Sequence, residues 1–212
     1  MHKILVISGM VFISACSNPS AESTPKDSLS GKDSIKKAMQ ENLPPSSDIR
    51  QFNWFYSAFA QAATSGNDSL FNVVIHPKHG LWIIHSEGAV PNFTKVMRIR
   101  DYKNMQGKGL LPFDRDAMMT APKEEALPVI DCNSKNFYNK TGCFTQMQNS
   151  FAQEKIWLNA GLDADRDKEI AQLASTIMRT VINTENHYKF YFSLIDGTWY
   201  LTFIDIRTPC DA

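Results

Sequence analysis

No apolar run in this 212-residue chain approaches the roughly 20 residues that a membrane-crossing helix needs; the one continuous stretch of that kind, Ile4 to Ile13, stops at Ser14. Charge of one sign is missing too. The 22 Lys and Arg are balanced by 22 Asp and Glu, so no basic excess marks a nucleic-acid partner. There is no phosphate-cradling Gly loop, no dinucleotide fingerprint, no nucleophile elbow around a serine and no internal repeat. Nothing in the chain calls for a cofactor. Cysteine is sparse, at four residues. Aromatic residues are plentiful, with 13 Phe, 6 Tyr and 4 Trp available to build a core.

The first sixteen residues, MHKILVISGMVFISAC, have a short basic start, an apolar stretch and small residues before Cys16. That is the layout of a secretory signal peptide. Ile13-Ser14-Ala15-Cys16 resembles the lipobox of bacterial lipoproteins. The resemblance implies cleavage after residue 15 and lipidation of Cys16 by a diacylglycerol and an N-acyl chain such as palmitate. It therefore implies a membrane partner reached through the lipid and a place in the bacterial cell envelope. Ser17, rather than Asp, points to the outer membrane over the inner. Of the basic residues only Lys3 lies in 1–15, so the mature chain carries 21 against 22 acids. Residues 16–32 are rich in Ser and Pro and read as the lipidated cysteine and a flexible tether. Residues 33–212 are expected to form one globular domain.

Within that domain a short helix is expected over 34–42, stopped by Leu43-Pro44-Pro45. A longer helix is expected over 48–64, where Phe52, Phe55, Tyr56 and Phe59 recur at three- and four-residue spacing. LFNVVI and LWIIHS, on either side of His76-Pro77-Lys78-His79-Gly80, read as strand, turn and strand. Residues 93–101 suggest a further strand, and 102–128 an irregular insertion with one short helix. Strands are expected at 127–132 and 143–147, and either strand or helix at 153–158. Ile170, Leu173, Ala174, Ile177 and Val181 keep helical spacing, predicting a second main helix over 163–184. Two alternating runs around Asp196-Gly197 predict a closing hairpin with a type I′ turn. A two-residue turn would set Leu194 opposite Trp199, Phe192 opposite Leu201, Phe190 opposite Phe203 and Tyr188 opposite Asp205. One face of this hairpin would be apolar and the other mixed and half-exposed.

The fold class expected is α+β, a mainly antiparallel curved sheet packed on two main helices. The early helix leading into a strand and the closing TWYL-type hairpin resemble the nuclear transport factor 2-like cone fold, over about 48–101 and 187–206. That resemblance implies a pocket inside the curve of the sheet. The closing YFSLIDGTWYLTFIDIRTPC also resembles the ends of uncharacterised envelope lipoproteins.

Outside the inner membrane, thiols pair. Cys132 and Cys143 bracket the polar loop NSKNFYNKTG and are the expected disulfide, with Cys132–Cys210 and Cys143–Cys210 as the other pairings. His76, His79 and His85 imitate a metal cluster, but strand register would hold His76 and His85 roughly 13 Å apart, and no metal site is expected. Asp163, Asp165 and Asp167 imitate the start of a calcium loop. Lys168 and Ala174 occupy the positions that need Gly and Glu, so the aspartates read as a helix cap. No catalytic residue is assigned. The weak candidates are Asp205, a carboxylate facing apolar side chains, and Tyr188 across from it; pairing of Asp205 with nearby Arg207 is the structural alternative.

The function expected is a lipid-anchored, non-enzymatic binding or structural module, its partner a protein, glycan or small apolar ligand. Tyr191, Tyr200, Trp82 and Trp54 are its candidate contact residues. The alternative is a cone-fold enzyme using Asp205 as general acid/base.

Overall fold

The computed structural model describes residues 49–210 apart from 87 and 89. The signal peptide 1–15, Cys16, the tether 16–32 and the expected helix over 34–42 lie outside the described residues.

The first helix, α1 (Ile49–Thr64), forms where the aromatic stripe predicts it, burying Phe52, Phe55, Tyr56 and Phe59 on one side. Thr64 and Ser65 turn their hydroxyls back to the carbonyls of Ala60 and Ala62, and Gly66 follows at φ 66°. These contacts satisfy last-turn acceptors and end the helix.

The run LFNVVI is not a strand. Asn67 accepts the N–H groups of Ser69 and Leu70 and so caps a single turn, α2 (Asp68–Phe71), which continues as a 3₁₀ turn over Asn72–Val74. A side-chain cap at Asn67 outweighs the β propensity of two valines. Residues 76–80 make the turn, closed by a His76–Gly80 bridge. His76 Nδ1 accepts from the backbone N–H of Lys78 and of His79.

Seven strands follow: β1 (Leu81–Ser86), β2 (Pro91–Val96), β3 (Lys123–Glu124), β4 (Cys143–Gln146), β5 (Ile177–Asn183), β6 (Tyr188–Ile195) and β7 (Thr198–Asp205). They make one open mixed sheet in the order β2-β1-β7-β6-β5-β4-β3. Two neighbours are parallel, β1 with β7 and β3 with β4; the others are antiparallel. Short helices α3 (Arg115–Met118) and α4 (Ser150–Glu154) interrupt the strands. Residues 93–101 divide into the end of β2 and a 3₁₀ turn at Ile99–Asp101. Residues 127–132 contribute only the isolated Ile130–Tyr138 bridge.

The second main helix is shorter than its periodicity predicts. α5 covers Ala164–Ala174, capped by Asp163 Oδ1 on the N–H of Arg166. Ser175 and Thr176 hydroxyls then take the carbonyls of Gln172 and Leu173, and the β-branched run from Thr176 to Ile182 becomes β5. Ile177 and Val181 keep helical spacing with Ile170 but are strand residues.

The domain is thus α+β, with helices on both faces of the sheet rather than one. α1 packs against Leu81, Ile83, Val181, Phe190, Phe192, Leu201 and Ile204. On the opposite face α5, with Phe151 and Trp157, covers Trp82, Ile84, Tyr191 and Phe203. This second layer corrects the expectation of a half-exposed hairpin face: Tyr191 and Trp82 are core residues, 0% and 2% exposed. Tyr200 is half-buried, its ring 4.6 Å from that of His76. Trp54 remains exposed.

Candidate functional site

Because β1 and β7 run parallel, both finish at one end of the sheet, where antiparallel β6 begins. Three hollows meet there. One of about 580 Å³ is bordered by His85, Ser86, Tyr102, Met105 and Arg207. A smaller one of about 190 Å³ is bordered by Ser86, Ile130, Lys189, Asp205 and Arg207. The third, of about 550 Å³, runs along Leu127, Val129, Ile130, Tyr138 and Ile182 to Lys189. Ser86 and Arg207 border the first two and Ile130 and Lys189 the last two, so the hollows adjoin, and the three are together called the cleft.

The closing hairpin places these groups, and its register departs from the predicted one midway. Asp196 and Gly197 both have positive φ, as a type I′ turn requires. Leu194 faces Trp199 and Phe192 faces Leu201, as expected. Tyr191 then faces Phe203, so Thr202 is an extra residue in β7. Its hydroxyl donates to the Tyr191 carbonyl and lies 2.9 Å from Ser193 Oγ. Beyond this bulge every partner slips by one. Phe190 faces Ile204 instead of Phe203, and Asp205 faces Lys189 instead of Tyr188. The expected Tyr188–Asp205 pair does not form; Tyr188 packs among aromatics of the α1 face, its ring 5.3 Å from Phe113.

Asp205 is 2% exposed and belongs to Arg207. Arg207 Nε donates to Oδ1 at 2.8 Å, Nη2 to Oδ2 at 2.7 Å, and the Arg207 backbone N–H to Oδ1 at 3.1 Å. Burial works against the guanidinium charge, but the hydrogen bonds and charge of Asp205 prevail and raise its pKa above the ordinary value. With both oxygens engaged by one cation, Asp205 is suited to holding Arg207 still rather than to moving a proton.

Lys189, opposite Asp205 in the strand register, is 8% exposed. Its Nζ stands 3.6 Å from a carboxylate oxygen of Glu154, whose own side chain is 40% exposed. Tyr138, which borders the same hollow as Lys189, is 1% exposed and its hydroxyl makes no hydrogen bond among the described residues. Burial, then the carboxylates of Asp205 and Glu154, raise the Tyr138 pKa, keeping it a protonated donor.

One wall of the cleft is covalent. Cys132, in the loop carrying Ile130 and Tyr138, is bonded to Cys210, with Cα atoms 5.8 Å apart. This corrects the expected Cys132–Cys143 pairing. Cys143 opens β4 and points into the α1 core, 1% exposed, its Sγ 3.6 Å from Tyr56 Oη. Burial pushes its pKa up to about 11. A short polar loop is entropically easy to close, but strand pairing turned one of its two cysteines inward.

The three histidines are not brought together. The rings of His76 and His79 lie tilted to one another with centroids 4.5 Å apart, while His85 Nε2 lies 3.2 Å from Thr94 Oγ1 across β2. Among the described residues no three His, Cys, Asp or Glu side chains are grouped to hold a metal. Lys189, Glu154 and Tyr138 escaped sequence reasoning because they come from three distant segments. Arg207 was within reach, since residues two apart in an extended segment share a side. Comparison with known proteins adds no likeness: no family model, no curated protein and no solved structure matches this chain.

Proposed function

We propose that this protein is a lipid-anchored binding module of the bacterial envelope, held by acylated Cys16 and binding a small ligand in the cleft at the end of β1, β6 and β7. The observation that carries the binding half is a cleft floored by two cations, buried Lys189 and partly buried Arg207, and walled by a disulfide-tied loop. Such a concave site, mainly preformed and with few convergent polar groups, is what small ligands select. The Asp205 carboxylate is committed to Arg207, which favours binding over acid–base turnover. The anchor rests on the lipobox resemblance; two or more acyl chains give stable membrane attachment where one does not. A cone-fold relationship stays part of this proposal through the sequence likeness alone, since the open sheet with helices on both faces lends it no support.

Two measurements test the reading. Intact mass of the mature N-terminus should show a triacylated or diacylated Cys16, and Cys16→Ser should move the protein out of the membrane fraction. A mixed panel of small acids, amides, sugars and amino acids, followed by amide chemical shifts, should perturb Ile130, Lys189 and Thr208. A panel that moves none of these amides removes the binding module.

A further inference from the structure

The ammonium of Lys189, at the wall of two hollows, has few protein partners among the described residues. It offers three donors, yet its one ionic contact among the described residues is the 3.6 Å approach of Glu154, too long for a hydrogen bond. Glu154 sits at the end of α4 with its side chain 40% exposed, where an ion pair contributes little. Nearby, Tyr138 presents a buried hydroxyl with no partner among the described residues. A buried donor left unmet costs free energy that an acceptor would recover. Asp205 adds no spare charge, being matched by Arg207. The site therefore has room for one negative charge and not for two.

Next to that charge part of the lining is apolar, the rest being polar side chains such as Gln146, Gln148 and Gln153. The 550 Å³ hollow runs from Lys189 along Leu127, Pro128, Val129 and Ile130, with Ile182 on its far side. Val129 and Ile130 are 64% and 47% exposed, an unusual placement for two β-branched residues side by side.

Building on the binding-module reading, we propose that the ligand is a monocarboxylate with an apolar arm. Its carboxylate displaces Glu154 from Lys189 Nζ and accepts the Tyr138 hydroxyl, and its arm lies along Leu127–Ile130. Glu154 thus acts as an internal stand-in for the ligand's head group.

The test uses the mature chain, residues 16–212, carrying Cys16→Ser so that it stays unacylated, titrated with octanoate, octanamide and acetate by ¹⁵N chemical shifts. Octanoate should shift Ile130, Tyr138 and Lys189 and bind at least about tenfold more tightly than octanamide, which lacks the charge, or acetate, which lacks the arm. Lys189→Met should weaken octanoate by about tenfold or more, and Tyr138→Phe by about fivefold with the fold retained. Glu154→Gln should tighten it about threefold, since it removes the competitor. This gain of affinity is the distinctive sign, because damage to the fold would not produce it. Octanamide binding as well as octanoate, or Glu154→Gln leaving the affinity unchanged or weaker, overturns the monocarboxylate while leaving the binding module standing. Acetate matching octanoate overturns the apolar arm. Octanoate shifting no cleft amide overturns the proposal outright; only a silent mixed panel reaches the binding module itself.

Discussion

Two buried groups, Asp205 and Cys143, carry most of what can be measured one residue at a time. Arg207 neutralises Asp205 at the floor of the cleft, and removing it leaves a carboxylate, 2% exposed, without its cation. Breaking a buried pair from one side costs about 3–5 kcal/mol; with Arg207 itself 24% exposed, Arg207→Ala should cost about 2–3 kcal/mol in urea unfolding. The double change Arg207→Leu with Asp205→Leu should cost less than that single one. Cys143 sets a pH limit. Its folded pKa of about 11 lies above the thiol's ordinary 9.0, so folding favours the protonated form. The associated stability is complete below pH 9 and is lost as pH rises through 11, about 2–3 kcal/mol over the interval. Unfolding midpoints measured across that range should fall, and Cys143→Ser should flatten part of the decline. The same burial should keep Cys143 unalkylated at pH 8 until the chain is denatured.

Among the elements, the closing hairpin was the most legible, because Asp-Gly between alternating apolar runs leaves little freedom. Even so, its outer half could not be read. Thr202 looks like any strand residue, and the bulge it forms exchanges the faces of everything beyond it, Asp205 included. The aromatic spacing of α1 was equally clear. The boundary at 174–177 was not, since Ile170, Leu173, Ile177 and Val181 satisfy a helical repeat while the last two sit in a strand. The decisive signals were local: Ser175 and Thr176 closing the carbonyls behind them and β-branched residues ahead. Gly80 shows such a local constraint most directly. It holds φ 70° at the foot of β1, and a Cβ there would meet the Val96 carbonyl oxygen at 2.7 Å and Met97 Sδ at 2.9 Å. Gly80→Ala should therefore destabilise the fold by about 2 kcal/mol or more, whereas Gly107→Ala, with open space around it, should cost only its backbone strain.

For the molecule as a whole, the Cys132–Cys210 bond is the main constraint outside the core. It spans 78 residues of sequence, and a loop of that length is worth about 4–5 kcal/mol on the chain-entropy account. Replacing both cysteines by serine should lower the melting temperature well beyond the effect of Cys143→Ser. It should also raise amide exchange in 129–138 and 206–210 before the sheet opens. Composition and patterning conveyed the α+β class, but a helix layer on each face was hidden: the polar-looking side of the hairpin, Lys189, Tyr191, Ser193 and Thr202, is buried under α4 and α5.

The strand order has a temporal side. β7 follows every other described strand in the chain and is the piece that joins β1–β2 to the rest, so the two halves of the sheet have no backbone link until residues 198–205 have been made. A nascent chain stopped short of residue 198 holds β1 with a bare inner edge and α1 with half its aromatic seat missing. Such a fragment offers edges for aggregation and little for partial function. Synthesis through residue 205 is thereby what licenses the fold, and chains stopped anywhere before residue 198 should behave alike.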